Sequence, residues 1–167
     1  DRARRAARDR GFAPYERSVG GRAVAYTGRT VAFAFAQPTD GRGSIDDRYD
    51  RVTNAVRRAL TGVGAEVVSG EPPDAFCAGD HSLRGAGPTG TPAGGKVVGV
   101  AQRVRAGAAL TSGIVLVDGP GASELIEVLR AVYDALSVPF DPESVGGVAS
   151  AGGPDDPLQV ARAVERA

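Results

Sequence analysis

Three residues that each occur once in the chain stand in one stretch: Cys77, His81 and Lys96. A thiolate is a nucleophile, an imidazole is a base near neutral pH, and a compact ammonium can polarise a carbonyl oxygen. Of 20 basic residues only Lys96 is lysine and the rest are arginine. Against that bias, a retained lysine suits a place that a planar guanidinium cannot fill. It lies in "GGKVVGVAQR" (94–103), where an ammonium flanked by Gly95 and Gly99 could point into a ligand slot. The same letters fit an exposed strand lysine.

Cys77 sits between turn residues in "DAFCAGDHSL". As a nucleophile it needs a cation or a base beside it, and Lys96 and His81 are the local candidates besides arginine. Its other reading is a buried structural cysteine. Cys77, Asp80 and His81 have no recognised ligand spacing, so no metal is expected. Upstream, "RSVGGRAV" (17–24) places Gly20 and Gly21 before an apolar run. Such a turn can expose N–H groups to phosphate or carboxylate oxygens, with Arg17 and Arg22 supplying charge, or it can be a plain turn. The glycine spacing excludes a Walker A loop and a dinucleotide fingerprint.

The elements that must position these residues follow from periodicity. Residues 1–10 read as the end of a helix stopped by Gly11, its arginines on a solvated face. "RAVAYT" (22–27) and "TVAFAFA" (30–36) read as two strands around Gly28-Arg29, the second with alternating Val31, Phe33 and Phe35. A helix is expected from Ile45 to Leu60, capped by Ser44, with Ile45, Tyr49, Val52, Val56 and Leu60 as its apolar stripe. "AEVV" (65–68) reads as a short strand, and 69–95 as a long Gly/Pro-rich irregular segment, of the kind more often functional or mobile than inert. A hairpin of 96–104 and 108–118 turns at Arg105-Ala106-Gly107. A helix over 123–136 turns Leu125, Val128, Leu129, Val132 and Leu136 inward, and "DPLQVARAVERA" closes the chain as a short helix.

Hairpins interleaved with long helices give an α+β fold: an antiparallel or mixed sheet with packed helices, read as a single domain over 1–167. A chain of 167 residues, 42% hydrophobic and 24% charged, can bury a substantial core. Zero formal net charge gives no global field for nucleic acid or an acidic membrane, so neither is an expected partner. One cysteine allows no internal disulfide, and no signal peptide or long apolar run is visible, which fits a cytoplasmic protein.

Taken in order, these pieces resemble the biotin/lipoate protein ligase superfamily, and within it the lipoate-protein ligase A and octanoyltransferase branch. The resemblance rests on Arg17, Gly20, Gly21, Arg22, Ala23 and Val24, and on a Lys-x-x-Gly-x-Ala-Gln element formed by Lys96, Gly99, Ala101 and Gln102. "VYDALSVPFDPESVGGV" (132–148) resembles the family's later region. The resemblance implies a biotin-ligase-like catalytic domain of the class II aminoacyl-tRNA synthetase type. Its Arg/Gly loop and lysine strand would wall an acyl tunnel, so Arg17, Gly20, Gly21, Arg22, Ala23, Gly99, Ala101 and Gln102 are implied to bind substrate.

Lys96 would polarise the acyl carbonyl, and "FCAGDHSL" resembles the context of the family's thioester-forming cysteine, making Cys77 the implied acyl acceptor. The implied reaction attaches lipoate or octanoate to a carrier lysine. The carrier would be a lipoyl domain of a 2-oxoacid dehydrogenase or the glycine-cleavage H protein, with acyl carrier protein as a candidate donor. ATP and Mg enter only if the chain is a ligase working through an acyl-adenylate, in which case Cys77 is structural. A silent lipoyl-binding module is the further alternative. Three features depart from the pattern. Val19 replaces the usual Ser or Thr before Gly20, "RGAGPTGTPAG" (84–94) lengthens the path to Lys96, and the family's N-terminal part is expected ahead of Asp1.

Overall fold

The computed structural model describes residues 1–17, 20–39, 43–87, 90, 92–105, 107–118 and 122–167. Val19, Ala106 and residues 88, 89 and 91 of the Gly/Pro insert fall outside the described residues. The elements in chain order are α1 (Arg2–Arg8), β1 (Thr30–Pro38), α2 (Ile45–Gly62), β2 (Val67–Ser69), β3 (Leu83–Ala86), β4 (Pro92–Arg105), β5 (Ala108–Leu116), α3 (Ala122–Leu136) and α4 (Pro157–Glu165). A short 3-10 turn occupies Pro142–Ser144.

The five strands form one sheet in the order β1-β5-β4-β3-β2, with every neighbouring pair antiparallel. The fold is therefore α+β, as the sequence pattern expects. Alternation along β5 and into the residue after it sends Val115 and Val117 to one face and Ile114 and Leu116 to the other. The first face packs Val52, Val56 and Leu60 of α2 and Val160 of α4. The second packs Leu125, Val128, Leu129, Val132 and Tyr133 of α3 with Ala7 of α1, Ala25 and Phe76.

α2 begins where the sequence places it. The Ser44 hydroxyl accepts from the Asp47 N–H at 3.0 Å, and the Asp47 carboxylate accepts from the Ser44 N–H at 2.7 Å. Its stripe is buried from Val52 onward, whereas Ile45 in the first turn is exposed. On α3, Leu136 ends exposed rather than inward, because it closes the helix beyond the sheet-covered turns.

Two expectations are corrected. Residues 22–27 do not form a strand: their apolar side chains pack against the α3 side, and Thr27 instead turns onto Thr30 through hydroxyl and backbone hydrogen bonds of 2.9–3.3 Å. The 69–95 segment is not wholly irregular. It contains β3, which exists because β2 and β4 flank it and satisfy its backbone groups on both sides.

Candidate active site

Strict alternation on β4 would put Lys96 on the same face as Val98 and Val100. The β3 register prevents this. Leu83 pairs with Val98, but the adjacent Arg84 pairs with Lys96, leaving Val97 as an extra residue on β4. A bulge of this kind re-aims the side chain beside it. Lys96 thereby joins the face of Gly99, where a Cβ would stand 3.2 Å from the lysine Cε. Its aliphatic stem needs that missing side chain.

The Lys96 side chain is buried, 1% exposed. Its Nζ donates to the Glu71 carboxylate at 2.9 and 3.2 Å, to the Phe76 carbonyl at 3.1 Å and to the Cys77 carbonyl at 2.9 Å. It also lies 5.1 Å from the centre of the Phe76 ring. An ammonium has three protons, and these three groups take all of them.

Cys77 has a left-handed backbone, with φ 44°. Its carbonyl faces Lys96 and its sulfur faces the glycine loop. There Sγ accepts from Arg17 Nη2 at 3.2 Å and from the Arg22 N–H at 3.3 Å. Arg17 Nη2 also donates to the Arg22 carbonyl at 2.9 Å, which fixes the guanidinium over the loop. The Cys77 N–H donates to the Tyr133 hydroxyl at 2.5 Å, and that hydroxyl donates to the Ala23 carbonyl at 3.0 Å. Burial pushes the Tyr133 phenol up to about 12, with the Cys77 N–H acting in the opposite direction. The phenol is thus neutral at physiological pH and serves as a tie between α3 and both loops.

Gly21 completes this corner. At φ +98° a Cβ would stand 2.7 Å from Cys77 Sγ and 2.8 Å from Arg17 Nη2. Gly20 differs, since a Cβ there would meet no atom within 4 Å. The cleft between loop and sheet is lined by Arg17, Phe76, Cys77, Lys96, Gly99 and Ala101, among others, and has a volume of about 40 Å³. That is room for a few waters, taking ~10–15 Å³ for each.

The structure brings together Arg17, Gly21, the backbone of Arg22 and Ala23, Cys77, Lys96, Gly99 and Ala101. Gln102 stands apart. Its side chain lies on the α2 side, accepting from Arg48 Nε at 3.0 Å and donating to Thr111 at 3.1 Å. His81 also turns to α2, stacked on Tyr49 at 4.1 Å with its nitrogens 3.7 Å from Asp46 and Asp50. The cation at the Cys77 sulfur is therefore Arg17, while Lys96 holds the carbonyl of the same residue.

Glu71 and Tyr133 join the site from outside the candidate residues that the sequence points to. Tyr133 was accessible through its spacing of four from Leu129, which places it on the buried stripe of α3. Glu71 had no such signal within its Gly/Pro-rich loop. Among the described residues, no group of three or more His, Cys, Asp or Glu is placed to hold a metal ion.

The structure is thus a layered α+β sheet on which a cysteine, a lysine and an arginine converge at one cleft. The chain belongs to the lipoyl protein ligase A/B catalytic domain family, whose model matches residues 2–149. In fold it is similar to a Thermoplasma acidophilum protein described as a lipoate protein ligase and solved with lipoic acid bound. That likeness has a TM-score of 0.71 at 20% identity, covering 95% of this chain and 58% of that one. It is also similar to a bipartite T. acidophilum lipoate protein ligase described with its E2 lipoyl domain, at TM-score 0.66 and 22% identity, over 97% of this chain and 58% of that one. A lipoate-protein ligase A bound with ATP matches at TM-score 0.56 and 18% identity, over 93% of this chain and 68% of that one. The chain thus spans little more than half the length of the T. acidophilum proteins. A comparison with curated protein sequences found no match.

Proposed function

We propose that the chain takes part in protein lipoylation, passing an octanoyl or lipoyl group through Cys77 to a lysine of a carrier protein. The observation that carries this reading is the setting of the Cys77 sulfur. A left-handed backbone presents it to the Arg17 guanidinium at 3.2 Å and the Arg22 N–H at 3.3 Å. Two N–H donors are thus aimed at the one sulfur that the reaction would use.

In the proposed reaction the Cys77 thiolate attacks the carbonyl carbon of an acyl thioester. The tetrahedral intermediate collapses with loss of the donor thiolate, leaving the acyl group on Sγ. The neutral amine of the carrier lysine then attacks this thioester, loses a proton, and releases the Cys77 thiolate as the amide forms. Lys96 polarises the acyl carbonyl when one of its three present acceptors gives way, and the cleft beside Gly99 and Ala101 widens to take the chain over the sheet. Arg17, Gly20, Gly21, Arg22 and Ala23 form the loop that closes over it. The similarity to a ligase described with its E2 lipoyl domain supports a lipoyl domain as carrier, and the glycine-cleavage H protein offers the same acceptor chemistry. A reducing compartment keeps the thiol free for this role.

The likeness to an ATP-bound lipoate-protein ligase A favours a second reading, ligation through an acyl-adenylate with Cys77 as packing. Intact-mass analysis after mixing the chain with an octanoyl thioester, a lipoyl domain and either ATP or no nucleotide separates the two. An adduct on Cys77 without ATP, cleaved by hydroxylamine, supports the thioester route. Carrier acylation that needs ATP and survives Cys77→Ala supports the ligase. No acylation in either arm removes both.

A further inference from the structure

Glu71 lies among turn residues between β2 and β3, and the catalytic reading assigns it nothing. Its carboxylate is 2.9 Å from the Lys96 ammonium, yet it is not among the residues lining the cleft. It stands behind the lysine. The lysine therefore reaches the cleft already paired: Glu71 cancels its charge and, with the Phe76 and Cys77 carbonyls, accepts its protons. On the other side of the cleft, Arg17 faces the Cys77 sulfur at 3.2 Å. Once the thiol is ionised, each cation in the cleft has its own anion.

We infer that Glu71 is a specificity-determining residue that selects uncharged acyl groups, such as thioesters, over free carboxylic acids. This deepens the reading of Cys77 as acyl acceptor and rests on it. With the thiol ionised, a carboxylate entering the cleft finds no surplus positive charge and must displace Glu71 from Lys96 or sit against it, and like charges at close range are strongly disfavoured. A thioester carbonyl carries no net charge and needs only one proton of the ammonium. The pairing suits a site supplied with acyl thioesters and penalises one supplied with free fatty acid.

The test uses two unreactive probes of the same shape, octanoate and octanamide, with the unaltered chain and Glu71→Gln. Calorimetry is run at a pH where iodoacetamide labelling of Cys77 has reached its plateau. The unaltered chain should bind octanamide at least about tenfold more tightly than octanoate, and Glu71→Gln should shift that ratio toward octanoate by about the same factor. Tighter binding of octanoate by the unaltered chain overturns the inference whether or not Glu71→Gln folds. An unchanged ratio in a folded Glu71→Gln overturns it as well. Binding of neither probe removes it together with the acyl-transfer reading, whereas octanoate preferred over octanamide removes it alone.

Discussion

The ammonium of Lys96 and the carbonyl oxygen of Cys77 are 2.9 Å apart, while the sulfur of Cys77 meets Arg17 instead. One residue thus divides its carbonyl and its sulfur between two cations. The lysine fixes the loop that carries the thiol, and the arginine faces the thiol itself.

Loss of the lysine should therefore be felt in stability as well as in transfer. Lys96→Met fills similar volume but leaves Glu71 and two carbonyls without their donor. Breaking a buried ion pair by removing one partner costs about 3–5 kcal/mol, read as a drop in urea midpoint. Lys96→Arg retains charge but not the compact head, and transfer should fall on the order of 10²–10³-fold. Transfer at the unaltered rate in both variants would remove Lys96 from the chemistry.

Arg17→Gln tests the sulfur's partner. Alkylation follows the thiolate population, and a hydrogen bond to a charged group is worth about 1.5–3 kcal/mol. Iodoacetamide labelling at neutral pH should slow by about tenfold or more. If Arg17→Gln labels as fast as the unaltered chain and Lys96→Met does not, the lysine and not the arginine holds the thiolate.

The glycine pair should not behave as a pair. Gly21→Ala places a Cβ within 2.8 Å of both Cys77 Sγ and Arg17 Nη2, on a backbone of positive φ. The strain costs more than about 1 kcal/mol, and acyl transfer should be lost. Gly20→Ala meets open space and should keep the stability that Gly21→Ala loses. Equal behaviour of the two in thermal melts and in transfer assays would contradict this arrangement.

Tyr133→Phe removes the acceptor of the Cys77 N–H and the donor to Ala23. Leaving such buried groups unpaired costs about 1–3 kcal/mol. The phenol also imprints a pH dependence. Burial raises the phenol pKa to about 12, above the ordinary phenol value, so the unfolded chain gives up the proton first. Stability is then full below pH ~10 and declines as pH rises toward ~12. Urea titrations between pH 9 and pH ~12 should show a steeper decline in the unaltered chain than in Tyr133→Phe, and parallel curves would refute the assignment.

Local rules, readable in short windows of residues, control a large part of this molecule. The Ser44 cap, the buried rows of α2 and α3, the β4–β5 hairpin and the α+β class all follow from periodicity and turn chemistry within short windows. "GGKVVGVAQR" leaves Lys96 open between a ligand-facing and an exposed strand lysine, and its burial removes the exposed reading. Only the tertiary structure decided which way that lysine faces, because the Val97 bulge is set by pairing with β3, a strand that exists only between its neighbours. It likewise decided that 22–27 is a loop, that Gln102 faces α2, and that Arg17 rather than Lys96 meets the sulfur. These contacts join residues far apart in the chain. Glu71 meets Lys96 across 25 positions and Tyr133 meets Cys77 across 56. No spacing rule encodes such a meeting, since it depends on where two loops are laid down against a common sheet.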